Sequence, residues 1–427
     1  MYKRLSKKYF AAYLALYILM GFVVVIKGPI YLPDSYAHLD MLINRSPVYS
    51  LFLKIFTSLF GNYYQTPLLL TQYLLLIFSI DFLLKTLCKR IDLLSISVLA
   101  FQFTLLANAV YWFASVNKIL SESITFPLLL ILLTYLFKSF TDKTFKPLYK
   151  AIMVLVLLQF TRGQFIAFLP ILLAVAIFLI FKTKAYRKGV LAILLVLFVP
   201  FIINYSEKAY NKAVHGHYKN YAMTYVHFIS NPFYIAKRTD VEIFENEEEK
   251  AFFSRTFEML ESKKITRDYA LSINNDDYAF YESNFTKICN ASIHEANMSY
   301  YAKRGFKTEH DQQYKVDDMT TKMFLPLLKA NYKVWLKMVF KSFEKGLGGR
   351  QGTFLTFLIL IYSLVFVFKD NRFAFLALAI LLKLANGLLI AMVVHSITRY
   401  TFYLDWIVCT AIIFFMNPIL KKYFNVS

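Results

Sequence analysis

The run YFAAYLALYILMGFVVVI at residues 9–26 decides what kind of molecule this is. It follows the basic residues Lys3, Arg4, Lys7 and Lys8, an order shared by secretory signal peptides and first membrane helices. A signal peptide would close on a small-x-small cleavage site, and this run has none. At about 18 apolar residues it is long enough to cross the hydrocarbon core as a helix, so it is read as a retained first span.

Similar runs recur along the chain. Hydrophobic residues make up 58% of the 427 positions and mean hydropathy is +0.48, well above the balance of a soluble globular protein. The expected fold is an all-α polytopic membrane protein of about ten transmembrane helices. The spans are placed near 9–26, 65–85, 93–113, 119–139, 148–161, 164–181, 188–204, 353–368, 373–394 and 400–417, with the short fifth joined to the sixth by a tight turn at Arg162-Gly163.

Charge orients these spans. Lys89 and Arg90, the stretch Lys143, Lys146 and Lys150, the group Lys182, Lys184, Arg187 and Lys188, then Lys369 with Arg372 and Lys421 with Lys422 alternate onto the side of the N-terminal cluster. That side is expected to be cytoplasmic, with both termini on it. The net charge of +21 is thereby read as a topology signal helped by anionic lipid, with no nucleic-acid partner required. The localisation expected is a bacterial inner membrane, although four Asn-x-Ser/Thr triplets, at Asn44, Asn284, Asn290 and Asn297, leave an endoplasmic-reticulum membrane open.

Three regions follow. Residues 1–204 form an N-terminal transmembrane module whose first outer loop, 27–64, carries interfacial helices. Within it Pro47 to Phe60 is about 14 residues with Lys54 at its centre, too short to cross and suited to lie on the outer surface. Residues 205–350 lose hydropathy and gather Glu242, Glu245, Glu247, Glu248 and Glu249, which suggests a helical outer-face insertion. Residues 351–427 make a C-terminal module of three spans. The insertion should end in one helix over Asp317–Leu347 whose Lys329, Lys333, Lys337, Lys341 and Lys345 form a slowly winding stripe. Those lysines suit lipid phosphates at a membrane surface, or one or two of them, Lys337 among them, suit the phosphate of a bound lipid substrate.

The remaining polar groups beside spans fall on the outer side. They are Asp34, His38 and Asp40 in Pro33-Asp34-Ser35-Tyr36-Ala37-His38-Leu39-Asp40, Glu122 and Arg162 at span ends, and His395, Arg399 and Tyr400 before the last span. Cys88, Cys289 and Cys409 offer neither a disulfide framework nor a zinc spacing. No metal is assigned: a divalent cation is left open, since Glu122 at a span end could hold a cation, but no local cluster supports one and His38 alone is weak evidence.

The order of that acidic loop, then Ser46-Pro47-Val48-Tyr49, Leu120-Ser121-Glu122, Thr161-Arg162-Gly163 and Thr398-Arg399-Tyr400, resembles GT-C integral-membrane glycosyltransferases. More narrowly it is similar to the bacterial branch of aminoarabinose transferases and protein O-mannosyltransferase relatives. The resemblance covers spans one to six and the last two, while 205–316 has no counterpart. It implies transfer of a sugar from a polyprenyl-phosphate donor to a glycan, lipid or protein acceptor on the extracytoplasmic face, usually with inversion. Asp34 then matches the first-loop aspartate that acts as base or orients the acceptor hydroxyl. Ser35 stands where many relatives carry a second carboxylate, and Arg162-Gly163 replaces the commoner Arg-Pro.

The chemistry agrees without the family. Displacing a lipid phosphate from an anomeric carbon needs a carboxylate to take the acceptor proton and cations to hold the phosphate charge. Asp34 suits the first task, and Arg162, His395 and Arg399 the second. Plainer readings stand beside these: Asp34 as a helix cap, Asp40 as a solvated group facing away from Asp34, Glu122 as a favourable charge at a helix start, and both arginines snorkelling to headgroups. A transporter or flippase of lipid-linked glycans is the alternative from another class. It would need mid-span charge and an internal repeat, and only Lys383 and Asp81 qualify. An O-antigen polymerase or ligase would need paired arginines in its large outer loops, where this chain has a lysine stripe and scattered Arg238, Arg255, Arg267 and Arg304.

Overall fold

A computed structural model describes residues 7–423, so Lys3 and Arg4 lie outside the described residues. Among the described residues all regular elements are helical, and extended pairing is confined to one parallel bridge between Ile30 and Lys118. The chain divides into two units. One runs through Tyr218 and takes in Phe354–Asn386 and the chain from Arg399 on; the other comprises Lys219–Thr353 and Gly387–Thr398.

The first unit begins with α1 (Lys7–Lys27), α2 (Pro33–Leu39), α3 (Pro47–Phe60), α4 (Gln65–Arg90) and α5 (Ser95–Leu106). It continues through α6 (Glu122–Asp142), α7 (Phe145–Thr161), α8 (Leu169–Thr183) and α9 (Tyr186–His215). Among the described residues, nine helical stretches are long and apolar enough to cross a membrane, which makes the fold that of an all-α polytopic membrane protein. Several keep most of their apolar side chains outward: Phe22, Val25 and Ile26 on α1, and Phe198 and Phe201 on α9, are exposed. In water such faces would be costly; in lipid they need no cover.

The fifth expected span is the one missing from the nine. It is α7, whose 17 residues sit at the lower limit for a crossing. Its depth is nonetheless that of its neighbour. Ser139 near the end of α6 donates to the carbonyl of Thr144 at the start of α7, and Thr125 near the start of α6 lies 3.0 Å from Thr161 at the end of α7. The two helices therefore run antiparallel over nearly their full lengths.

Small residues let other helices approach. A Cβ on Gly189 of α9 would fall 2.0 Å from Cγ1 of Ile180 in α8, so this contact is open only to glycine. α3 is an amphipathic helix with Tyr49 and Leu53 buried and Leu51, Ile55 and Leu59 exposed, and Gly61 at φ +52 ends it.

The second unit contains α10 (Thr224–Ile235), α11 (Glu247–Ser262), α12 (Arg267–Ser272), α13 (Asp277–Thr286), α14 (Ala296–Lys303), α15 (Glu309–Ala330) and α16 (Tyr332–Gly346). Its own core includes Phe233, Phe252, Tyr281, Ile288 and Met323. The single helix expected over Asp317–Leu347 is two helices. Asn331, with φ near −117°, breaks it, and its side-chain amide donates to Asp240 at 2.8 Å. The chain finishes with α17 (Gly349–Phe366), α18 (Asn371–Val393), the single turn α19 (Thr398–Thr401) and α20 (Ile407–Tyr423). None of the three cysteines forms a disulfide.

Candidate functional site

Position 34 is set from two directions. The backbones of Ile30 and residues 117–119 are zipped together: Ile30 donates to the Asn117 carbonyl at 2.8 Å, Ile119 donates to that of Ile30 at 3.0 Å, and the Asn117 amide caps the carbonyls of Val24 and Gly28. The end of α1 is thereby held against the segment that leads into Glu122. α2 then starts at Pro33, whose fixed φ and missing N–H suit a first turn. Ser35 accepts the Leu32 N–H at 2.9 Å and so serves the helix start. Asp34 is not the cap; its carboxylate is free for other partners.

Those partners are two arginines, one from the same loop and one from near the other end of the chain. Arg45 donates to Oδ1 of Asp34 at 2.7 Å, and Arg399 donates to Oδ2 at 2.5 Å. Arg399 also turns its Nε to Glu122, which is paired in addition with Arg162 at 2.8 Å. One guanidinium thus bridges two carboxylates, the bidentate geometry that arginine allows and lysine does not. Glu122 is 2% exposed, whereas the side chains of Asp34, Arg45 and Arg399 are each 28% exposed. The cluster has a buried floor at Glu122 and an accessible edge at Asp34.

Neighbours fix the floor. The phenol of Tyr403 accepts from Arg162 at 3.3 Å, and the Tyr400 ring covers the guanidinium at 4.9 Å. The Tyr400 carbonyl is in turn held by Gln164 at 3.2 Å and Asn386 at 3.0 Å, which are themselves hydrogen-bonded. Ser46 donates to the Thr161 carbonyl at 2.6 Å and so ties the loop bearing Arg45 to the residue before Arg162.

Burial pushes the pKa of Asp34 up, but Arg45 and Arg399 outweigh it and hold the carboxyl below its usual range. Asp34 is therefore ionised at neutral pH and held by its arginines, a weak base until a competing anion draws a guanidinium away. Lys118 is half-buried in the same field; burial depresses its ammonium and Glu122 partly restores it.

Of the sequence candidates, Asp34, Glu122, Arg162, Arg399 and Tyr400 meet here, joined by Arg45, Lys118, Tyr403 and Gln164, none of which was a candidate. Arg45 was legible as the one arginine of the first loop, beside Lys27 and Lys54. The others carry no pattern that distinguishes them from ordinary interfacial residues. Asp40 follows the end of α2, exposed, and enters no described ion pair of the cluster. His38 is buried; its Nδ1 lies 3.1 Å from Ser50, its ring meets Tyr49 edge-on, and burial pushes it down to about 3, so it packs as a neutral ring. Among the described residues no three metal-ligating side chains converge.

His395 and Lys337 belong to the second unit and have partners there. His395 lies 4.1 Å from the ring of Phe285, and Lys337 stands 3.9 Å from Asp277. The mid-span charges are paired: Lys383 with Asp405 at 2.7 Å, and Asp81 with Lys85 at 2.5 Å and Tyr13 at 3.1 Å. A purely apolar groove of about 380 Å³ runs between α17 and α20, lined by Leu355, Leu358, Tyr362, Val408, Ile412 and Phe415. No protein family, curated protein or solved structure matches the chain.

Proposed function

We propose that the chain is a GT-C-type glycosyltransferase of a bacterial inner membrane. It moves a sugar from a polyprenyl-phosphate donor to a glycan, lipid or protein acceptor on the extracytoplasmic face, with inversion. The observation that carries this reading is the bridge of Arg399 between Asp34 and Glu122. It joins the first-loop aspartate to three arginines drawn from segments far apart in sequence.

The cluster suits the reaction as follows. A donor phosphate entering at the accessible edge competes for Arg399 and Arg45, and Asp34 loses the charges that depress its basicity. Asp34 then takes the acceptor hydroxyl proton as the acceptor oxygen bonds to the anomeric carbon. The bond from that carbon to the phosphate oxygen breaks, and the departing electron pair is stabilised by the arginines. Arg162, locked between Glu122, Tyr400 and Tyr403, is preorganised for this charge. The apolar groove on α20, the helix that follows Arg399, is suited to part of an isoprenoid chain.

The test is transfer of labelled sugar from a panel of polyprenyl-phosphate sugars by the purified full chain, with Asp34→Asn alongside. Turnover lost in the variant, with the protein still folded, is the expected outcome. Equal turnover in both proteins removes Asp34 as the base. No turnover with any donor by a folded wild type overturns the enzyme reading and favours a transporter of lipid-linked glycans.

A further inference from the structure

The lysine stripe holds two kinds of residue, and pairing separates them. Lys341 is consumed inside the second unit, 2.8 Å from Asp276 and 2.5 Å from Asp277, and Lys345 pairs with Glu282. Lys329, Lys333 and Lys337 instead stay exposed. Tyr332, Leu336 and Phe340, at 50%, 53% and 59% exposure, follow one another at steps of four, so their Cβ atoms cover only about 80° of the helix. Lys333 and Lys337 come next around it on one side, buried Val339 borders it on the other, and Met338 and Ser342 are buried on the opposite face. α16 thus presents an uncovered apolar strip bordered on one side by cations.

Connectivity supplies the second observation. Only Leu347 and Gly348 separate α16 from α17, a helix of membrane-crossing length. The end of α16 is therefore tethered where a span meets the membrane surface. Apolar residues flanked by lysines on a helix so tethered match the acyl boundary and the phosphates above it.

We propose that α16 is docked on the membrane surface, with Tyr332, Leu336 and Phe340 at the acyl boundary and Lys329, Lys333 and Lys337 on the phosphates of anionic lipids. The occupant is bulk anionic lipid rather than the sugar donor, and the inference does not depend on the enzymatic reading.

The experiment places the photocrosslinker p-benzoylphenylalanine at position 336, 340 or 307 of the full chain in nanodiscs of mixed phosphatidylglycerol and phosphatidylcholine. Lys307 is an exposed residue of the same unit and serves as the reference. Lipid adducts at 336 and 340, absent at 307 and enriched several-fold in phosphatidylglycerol, are expected. The variant K329Q/K333Q/K337Q should abolish the enrichment, with K333Q alone giving a partial loss should the triple variant not remain monodisperse. Adducts at 336 no more frequent than at 307 would overturn the proposal. So would adducts to a second copy or another protein, or adducts formed only with added polyprenyl phosphate.

Discussion

Asp34 and Glu122 are both carboxylates on Arg399, yet their surroundings assign them different work. Glu122 is almost wholly buried and neutralises Arg162 and Arg399, so Glu122→Gln leaves two confined cations with one fewer counter-charge. Breaking a buried pair from one side costs about 3–5 kcal/mol. Asp34 sits at the accessible edge, where a partly exposed ion pair is worth about 0–1 kcal/mol. Thermal unfolding in detergent should therefore show a large loss for Glu122→Gln and a small one for Asp34→Asn; equal losses would sink the division between floor and edge. Acid acts on other residues first. In the second unit burial pushes His294 down to about 4, so the unfolded chain takes up this proton more readily than the folded one. The stability this neutral ring contributes is complete above the unfolded value of about 6.5 and drains as pH falls from there toward 4. Asp34, depressed instead, holds its contribution until pH falls through the carboxylate range. Unfolding followed from pH 7.5 to 5 should thus show a decline that His294→Gln reduces, and an unchanged slope in that variant would remove His294 as a source.

At the scale of elements, the second unit shows why spacing along a helix does not assign a job to each residue. Lys337 and Lys341 are one turn apart on α16 and look equivalent as sequence. Lys341 meets two aspartates at the start of α13, where Asp277 is 3% exposed, while Lys337 is mostly exposed and only at the edge of that contact. Lys341→Met should destabilise the unit by about 1–3 kcal/mol, and Lys337→Met should be nearly neutral, read by resistance to proteolysis within 219–353. A reversed ranking would show that the pairing does not operate in solution. Short-range signals, by contrast, carried α3 in full. Pro47 at its start, Gly61 at its end and an apolar face in between are local features, and the helix spans Pro47–Phe60 as expected. Asn331 escaped notice because its effect depends on Asp240, a partner far away in sequence.

For the whole molecule the legible part was what lipid demands: long apolar helices with charged ends, since each crossing must satisfy its own backbone. The convergence of Asp34, Glu122, Arg162 and Arg399 was legible only as a shared side, because sidedness follows from span parity while adjacency follows from packing. Parity itself now rests on α7. If it crosses, the described chain has ten crossings and both ends face the same side; if it does not, the nine other stretches put the ends on opposite sides. Its antiparallel run beside the 21-residue α6, pinned at Ser139–Thr144 and at Thr125–Thr161, gives it the same depth as a helix that qualifies by length. The lysines and arginines that follow α4, α6 and α8 also share a side only if α7 crosses. In bacteria a green fluorescent protein fused after residue 427 should therefore fluoresce, as it does only in the cytoplasm. A cysteine at exposed Tyr63, in the loop between α3 and α4, should react in intact cells with a maleimide that cannot cross the membrane. A dark fusion with a labelled position 63 would mean that α7 does not cross, and would place the Arg162 end of the cluster away from the face on which Asp34 lies.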